Sequence, residues 1–192
     1  MIFFSFSGVF LRILKKLNNL LFIKLEEASE VDKYKVPQLT TNTDFGFFRG
    51  LGIVDYAKTF KAWLRKFPRP VFIACVENNT IIGWVFIEDW ERWAIDGEPV
   101  HVLRAIEVLP GMRGSKIGFR LLLLGTFFTV GYLITKPLTP EARRFFKKYG
   151  FMEESEFRKV PVDLSAHHGY LIMPPFKKKM LRDGADSYFD QG

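Results

Sequence analysis

The stretch from Val102 to Gly118 gathers residue types that could hold an anion. A β-rich run reaches Pro110, a turn carries Arg113, Gly114, Ser115 and Lys116, and an apolar helix opens at Ile117 and Gly118. The first N–H groups of such a helix point outward without acceptors, and its dipole adds partial positive charge at the same place. Glycine lets the backbone approach a ligand closely, while Arg113 and Lys116 add full charges. The chemistry this suits is a cradle for a pyrophosphate. The same strand, turn and helix are also ordinary punctuation in α/β chains, and both readings stand at this point. Neither the Walker phosphate-loop pattern nor the GxGxxG dinucleotide fingerprint occurs.

The elements that must position this turn are readable on either side of it. Asp55 to Phe67 places Tyr56, Phe60, Trp63 and Leu64 on one side of a helix that Pro68 and Pro70 end. Val71 to Val76 and Ile81 to Ile87, joined through Asn78-Asn79, read as a β-hairpin whose second strand runs into Trp90 and Trp93. Asp96-Gly97 is a turn signal, and Val100 to Leu109 makes the next strand. The central helix carries Leu121, Leu122, Leu124, Phe127 and Phe128, and Tyr132 to Thr135 forms a short strand after it. Thr139-Pro140-Glu141 offers a cap, a first-turn proline and an acid at the positive end of the dipole; that helix stops at Gly150. A strand around Tyr170 to Met173 precedes a basic, then acidic, tail. Hairpins followed by helix, strand, helix and strand predict an α/β domain on a mixed sheet.

The order of these parts is more specific than any one of them. Val108, Pro110, Arg113-Gly114 and Ile117-Gly118 ahead of a helix resemble motif A of the GNAT superfamily of N-acetyltransferases. The later helix, from Thr139 through Ala142 and Phe146 to Gly150-Phe151, resembles that family's next helix. The resemblance covers Val71 to Met173 and is best from Val102 to Phe151. It implies a GNAT-like mixed, mostly antiparallel central sheet flanked by helices and splayed at the strand ending near Val108. It also implies acetyl-CoA as co-substrate, with the pantetheine against Ile106 to Val108. The pyrophosphate would then rest on the turn amides of Arg113, Gly114, Ser115, Lys116, Ile117 and Gly118, and Thr139 and Phe146 would border the cofactor.

Three departures from the family pattern bear on activity. Lys116 stands where the family usually has glycine; if the position needs an unusual backbone angle, lysine there costs about 1 kcal/mol, which an ammonium beside a phosphate offsets. Thr139 replaces a frequent asparagine, keeping a hydroxyl and losing an amide. The tyrosine that commonly protonates the leaving thiolate falls at Phe146, which has no proton to give. A thiol of pKa about 8.5 leaves tolerably without help, and general-acid assistance is worth about 10²–10⁴-fold, so a slower reaction is expected rather than none. Tyr149, one helical turn on, is the substitute donor or else a packed tyrosine. The acceptor implied is a primary amine attacking directly, since Cys75 lies in an apolar strand and no other nucleophile is well placed. Glu107, with His101, Leu103 and Ala105 on its face of the strand, resembles the catalytic glutamate of several subgroups and is the first candidate base; its other reading is a salt-bridged or edge carboxylate. A backbone N–H near Val108 would polarise the thioester carbonyl.

Composition bounds the rest. The 192 residues are 48% hydrophobic and 16% aromatic, enough for a core and contrary to intrinsic disorder. One cysteine and three histidines without ligand spacing exclude a disulfide framework and predict no metal site, in a reducing, cytoplasmic compartment. The net charge of +7 suits a polyanionic cofactor. Lys177 to Lys179 reads as a solvated patch, and without interleaved aromatics no nucleic acid is expected. In Met1 to Ile23, Phe3, Phe6, Phe10, Ile13, Leu17 and Leu20 recur at helical spacing with Arg12, Lys15 and Lys16 opposite. This segment is expected as a helix or strand buried on the domain or on a second subunit, which is compatible with a homodimer. The competing reading is an amphipathic helix on a membrane surface. The chain thus divides into an N-terminal segment 1–23, an acetyltransferase-like domain 24–180 and a tail 181–192. The partner expected is a small-molecule or peptide amine, and membrane association is not. Competing classes are a degenerate relative that binds CoA or a protein without turnover, and a membrane-surface module. Acceptor choice lies in Tyr34 to Asp55 and Glu88 to Gly97, which carry no recognisable signature.

Overall fold

The structure, a computed structural model, describes residues 4–6, 9–38 and 42–189, with side chains from residue 12 onward. Three strands open the chain: β1 (Phe4–Phe6), β2 (Val9–Leu17) and β3 (Leu20–Leu25). The β2–β3 pair closes at Leu17↔Leu20 around Asn18-Asn19, with Asn18 at φ 50, a left-handed angle that asparagine tolerates. The helical spacing read for this segment is therefore overturned for the described residues, and with it the amphipathic membrane helix; Phe3 lies outside them. The physical reason is tertiary: β3 pairs with β4 (Val71–Glu77) from Leu21↔Val76 to Leu25↔Phe72, and Phe22, Ile23 and Leu25 are wholly buried.

The remaining elements follow in the expected order: α1 (Tyr56–Leu64), β5 (Thr80–Trp93), β6 (Pro99–Val108), α2 (Ile117–Thr126), β7 (Tyr132–Thr135), α3 (Pro140–Lys148) and β8 (Leu171–Met173). Short 3-10 turns lie at Ala28–Lys33, Phe47–Leu51 and Pro110–Met112. Two helices, α4 (Pro175–Asp183) and α5 (Ala185–Phe189), occupy the region read only as a charged tail. Strands β2 to β8 form one mixed sheet in chain order, with β1 on β2 at its edge. Pairs β2–β3, β3–β4 and β7–β8 are antiparallel, and β6–β7 is parallel. This is the mixed sheet flanked by helices that the sequence pattern predicts.

The chain divides into two compact units. One holds the chain up to Phe86 together with Ala105–Gly125; the other holds Ile87–Arg104 and the chain from Thr126 onward. The first unit's core is aromatic: Phe45, Tyr56, Phe60 and Phe72 surround Trp84, with ring centroids 5.0–6.3 Å from it. Edge-to-face and offset pairs of this kind add stability beyond the area they bury. The second unit's core is aliphatic, built on Val100, Val102, Ile134 and Ile172. Helix α1 is capped by Asp55, which accepts from the Lys58 N–H at 2.9 Å, and α3 by Thr139, which accepts from Ala142 at 3.1 Å. On α4, Lys178 donates to the Thr129 carbonyl at 3.1 Å and Arg182 to the Thr126 and Thr129 carbonyls, tying this helix to the end of α2.

Candidate active site

In the first unit, β6 leads through a tight turn into α2. Met112 N–H bonds to Leu109 O at 2.9 Å and Arg113 N–H to Pro110 O at 3.3 Å, coiling the chain once before the helix. Two residues then take left-handed backbone: Gly114 at φ 85 and Lys116 at φ 63. Arg113, Gly114, Ser115 and Lys116 are all exposed, and a Cβ on Gly114 would meet nothing within 4 Å. Directly after them Ile117 is 1% exposed, and apart from Arg120 α2 is apolar around its circumference, as suits a buried helix. The helix comes close to β5 because Gly83 has no side chain: a Cβ there would lie 3.0 Å from Ile117 Cγ2 and 3.2 Å from Leu121 Cδ1. The start of α2 is thereby fixed against the sheet while the turn before it stays open to solvent.

Two arginines brace the turn. Arg120 is 4% exposed, and its guanidinium donates to the Ser115 carbonyl at 3.1 Å; burial pushes its pKa below the usual guanidinium value. Arg113 is exposed and its Nε donates to the Val108 carbonyl at 3.4 Å. The Ser115 hydroxyl donates to the Met112 carbonyl within the turn. Strand β6 itself runs on past its parallel partner. Pairing with β7 ends at Leu103↔Thr135, whereas β6 continues through Ile106 to Val108.

Glu107 sits in the same unit at 5% exposure. Its Oε1 accepts from the backbone N–H of Gly46 at 3.1 Å and of Phe47 at 2.9 Å, so the carboxylate anchors the 3-10 turn Phe47–Leu51. Its Oε2 is buried as well, and the Tyr56 phenol shares a side-chain hydrogen bond with this carboxylate. Tyr56, wholly buried, accepts the Phe48 N–H at 3.2 Å; burial, then the Glu107 charge, hold its phenol well above the usual range. Ala105 and Leu103 are buried with Glu107 on alternate positions of β6, as strand periodicity requires. The thiol of Cys75, wholly buried, is pushed up to about 12, chiefly by burial, which removes it as a nucleophile.

The other site residues belong to the second unit. The Thr139 hydroxyl caps α3, Phe146 is 4% exposed and packs on Phe145 and Phe151 with ring centroids 5.2 and 5.1 Å away, and Tyr149 is half-buried against Phe145 at 5.1 Å. Trp90 joins His167 at 4.9 Å and Tyr170 at 5.7 Å, with the Arg104 guanidinium 5.4 Å from its ring; Trp93 is 71% exposed. Among the described residues no cluster of His, Cys, Asp and Glu could hold a metal ion, and no helix is long and apolar enough to cross a membrane.

The sequence model of the acetyltransferase (GNAT) family matches residues 40–151. The chain belongs to that family. Solved structures share the fold at low identity. The AtaTR complex bound with acetyl-CoA is 13% identical with a TM-score of 0.57, over 86% of this chain and 99% of its own. The KacTA–DNA complex is 16% identical with a TM-score of 0.58, over 84% and 97%. A tyrosine-to-phenylalanine mutant of the AtaT toxin, bound to the C-terminus of antitoxin AtaR and acetyl-CoA, is 15% identical with a TM-score of 0.55, over 85% and 98%. Among curated proteins no sequence matches.

In this GNAT acetyltransferase chain, the residues before α2 fit a pyrophosphate on their own geometry. A turn with two left-handed positions, four exposed residues, two cationic side chains and a helix start leaves room where a Cβ on Gly114 would point. Sequence reading missed Arg120, Tyr56 and the Gly46–Phe47 backbone as parts of this site. A buried arginine inside an apolar helix was visible as an anomaly at Arg120, since unpaired charges are rarely buried. The contact from Glu107 to residues some 60 positions earlier had no local signal.

Proposed function

We propose that this chain transfers an acetyl group from acetyl-CoA to a primary amine by direct attack, with Glu107 as the base. The observation that carries the reading is the exposed turn Arg113–Lys116 set between the end of β6, which extends past β7, and the buried start of α2. Acetyl-CoA supplies an activated acyl group. Arg113 and Lys116 hold its phosphates by charge, and the amides from Gly114 to Gly118 hold them by hydrogen bonds. The strand end from Ile106 to Val108 offers backbone groups for the amide arm. A backbone N–H near Val108 faces the carbonyl oxygen as negative charge grows there.

Glu107 takes the proton from the attacking nitrogen. One oxygen is engaged by the Gly46 and Phe47 N–H groups, and in this reading the other takes that proton beside the Tyr56 phenol. The packed Phe146 ring donates no proton, and Tyr149 is the substitute acid in this reading. The mutant AtaT toxin, with one tyrosine replaced by phenylalanine, was solved with acetyl-CoA. The acceptor is read as a small-molecule or peptide amine. Protein and nucleic-acid partners, present in the neighbouring AtaT and KacTA complexes, form the second arm of any interaction screen.

The test is Arg113→Ala. Because Arg113 is exposed, its loss is expected to weaken acetyl-CoA binding about tenfold by calorimetry while the melting temperature holds. Equal affinity in the variant would remove the turn from the site.

A further inference from the structure

Arg120 is the one charged side chain on α2, and it is buried with its neighbours Phe119, Leu121 and Leu122. This part of the helix is held against the sheet, since Ile117 and Leu121 lie 3.0 and 3.2 Å from where a Cβ on Gly83 would stand. The positive charge of Arg120 is felt by the wholly buried Cys75 of β4, so the guanidinium lies within the fold and not among the exposed side chains of the turn. A buried charge is costly to keep unless it is well hydrogen-bonded. Here the bond runs backwards along the chain, to the carbonyl of Ser115 at 3.1 Å. Ser115 stands between the two left-handed positions, Gly114 at φ 85 and Lys116 at φ 63. A trans peptide is planar, with the carbonyl of one residue and the N–H of the next pointing in opposite directions. Holding the Ser115 carbonyl on a buried donor therefore turns the Lys116 N–H the other way, toward the exposed side of the turn.

We propose that Arg120 is a positioning residue for the pyrophosphate of the cofactor: its buried guanidinium holds the Ser115 carbonyl and thereby aims the Lys116 N–H at the anion. This rests on the reading that the acetyl-CoA phosphates sit on the turn, and it adds the part that shapes the turn. Arg120 does not touch the phosphates and acts through one peptide plane. Arg113 and Lys116 supply charge from the exposed side, and Arg120 supplies direction from the buried side. The same bond helps to keep Lys116 at its left-handed angle, because such angles persist where the surroundings over-determine them. Arginine suits the place because its guanidinium stays protonated when buried, whereas a buried ammonium readily gives up its charge.

The experiment follows backbone amide exchange of the full chain by NMR, without cofactor and at saturating acetyl-CoA, with affinities from calorimetry. In the parent, the cofactor is expected to slow exchange at the Lys116 amide as well as at Gly114 and Ile117. In Arg120→Met the slowing at Lys116 is expected to be lost even at saturation, while Leu122 and Leu123 exchange as in the parent. Affinity for acetyl-CoA is expected to fall about tenfold in that variant, the worth of one hydrogen bond. Arg120→Lys keeps a donor for the carbonyl and is expected to restore part of both. Parent affinity together with parent slowing at Lys116 in Arg120→Met would overturn the inference. So would slowing at Gly114 and Ile117 without Lys116 in the parent, a result that needs no variant to fold and leaves the cofactor reading standing. No slowing anywhere from Arg113 to Gly118 in the parent would take down the cofactor reading and this inference with it.

Discussion

At the scale of the residue, the proposed chemistry rests on two side chains. Lys116 sits at φ 63, where a side chain costs about 1–2 kcal/mol and glycine costs little. Lys116→Gly is therefore expected to stabilise the ligand-free protein by about 1 kcal/mol, a rise in melting temperature of roughly 2–4 °C. The same change is expected to weaken acetyl-CoA binding by removing an ammonium. A melting temperature that stayed level would show that the left-handed angle is not strained. Glu107 has two tasks that substitution can separate. Glu107→Gln keeps an oxygen for the Gly46 and Phe47 N–H groups and loses the proton acceptor, so turnover is expected to fall about 10²–10⁴-fold with folding intact. Glu107→Ala loses both and is expected to destabilise the fold by about 1–3 kcal/mol as well, measured by denaturant unfolding. Matching pH–rate profiles for Glu107→Gln and the parent would dismiss it as the base.

Elements differ in how far the sequence announces them. Helices α1 and α3 are legible because Asp55 and Thr139 are cap residues with the right spacing behind them, and both caps form. The β4–β5 hairpin is legible from Asn78-Asn79, whose φ values are 47 and 61. Asn18-Asn19 carries the same signal, yet the repeat of Ile13 and Leu17 at helical spacing masked it; what decided the outcome was β3 pairing with β4, a contact fifty residues away. Helix α4 was hidden because its buried face is charged. Lys178 is 2% exposed and its ammonium, displaced chiefly by burial and then by Arg182 against the pull of Glu98, falls to about 7. The unfolded chain keeps that proton up to the ordinary value near 10.5. Between the two the unfolded state binds more protons, so stability is expected to climb with pH from about 7 to 10.5 and to be lowest, for this group, below 7. Lys178→Met is expected to flatten that slope in unfolding curves taken across the range; an identical slope would assign the pH dependence to other groups.

The whole molecule is two compact units, and the turn Arg113–Lys116, the end of β6 and Glu107 all lie in one of them. That grouping explains what a linear reading could find. The turn and its strand are contiguous in sequence, so the strand–turn–helix was legible from Val102 to Gly118; the partner of Glu107 at Gly46 was not, because only the folded sheet brings it there. Phe146, whose departure from the family pattern was plain in the sequence, proves to be a core ring at 4% exposure. The loss of the phenol thus leaves a packed side chain and not a gap, which favours a slowed enzyme over a broken fold. The net charge of +7 and the exposed cations of the turn together set the expectation for a polyanionic co-substrate. Calorimetric titration of the full chain with acetyl-CoA, beside CoA and ATP, tests this most directly. Micromolar binding of acetyl-CoA and CoA with ATP at least tenfold weaker is the result expected. No heat from either CoA species, or equal binding of ATP, would contradict an acetyl-CoA site on this turn.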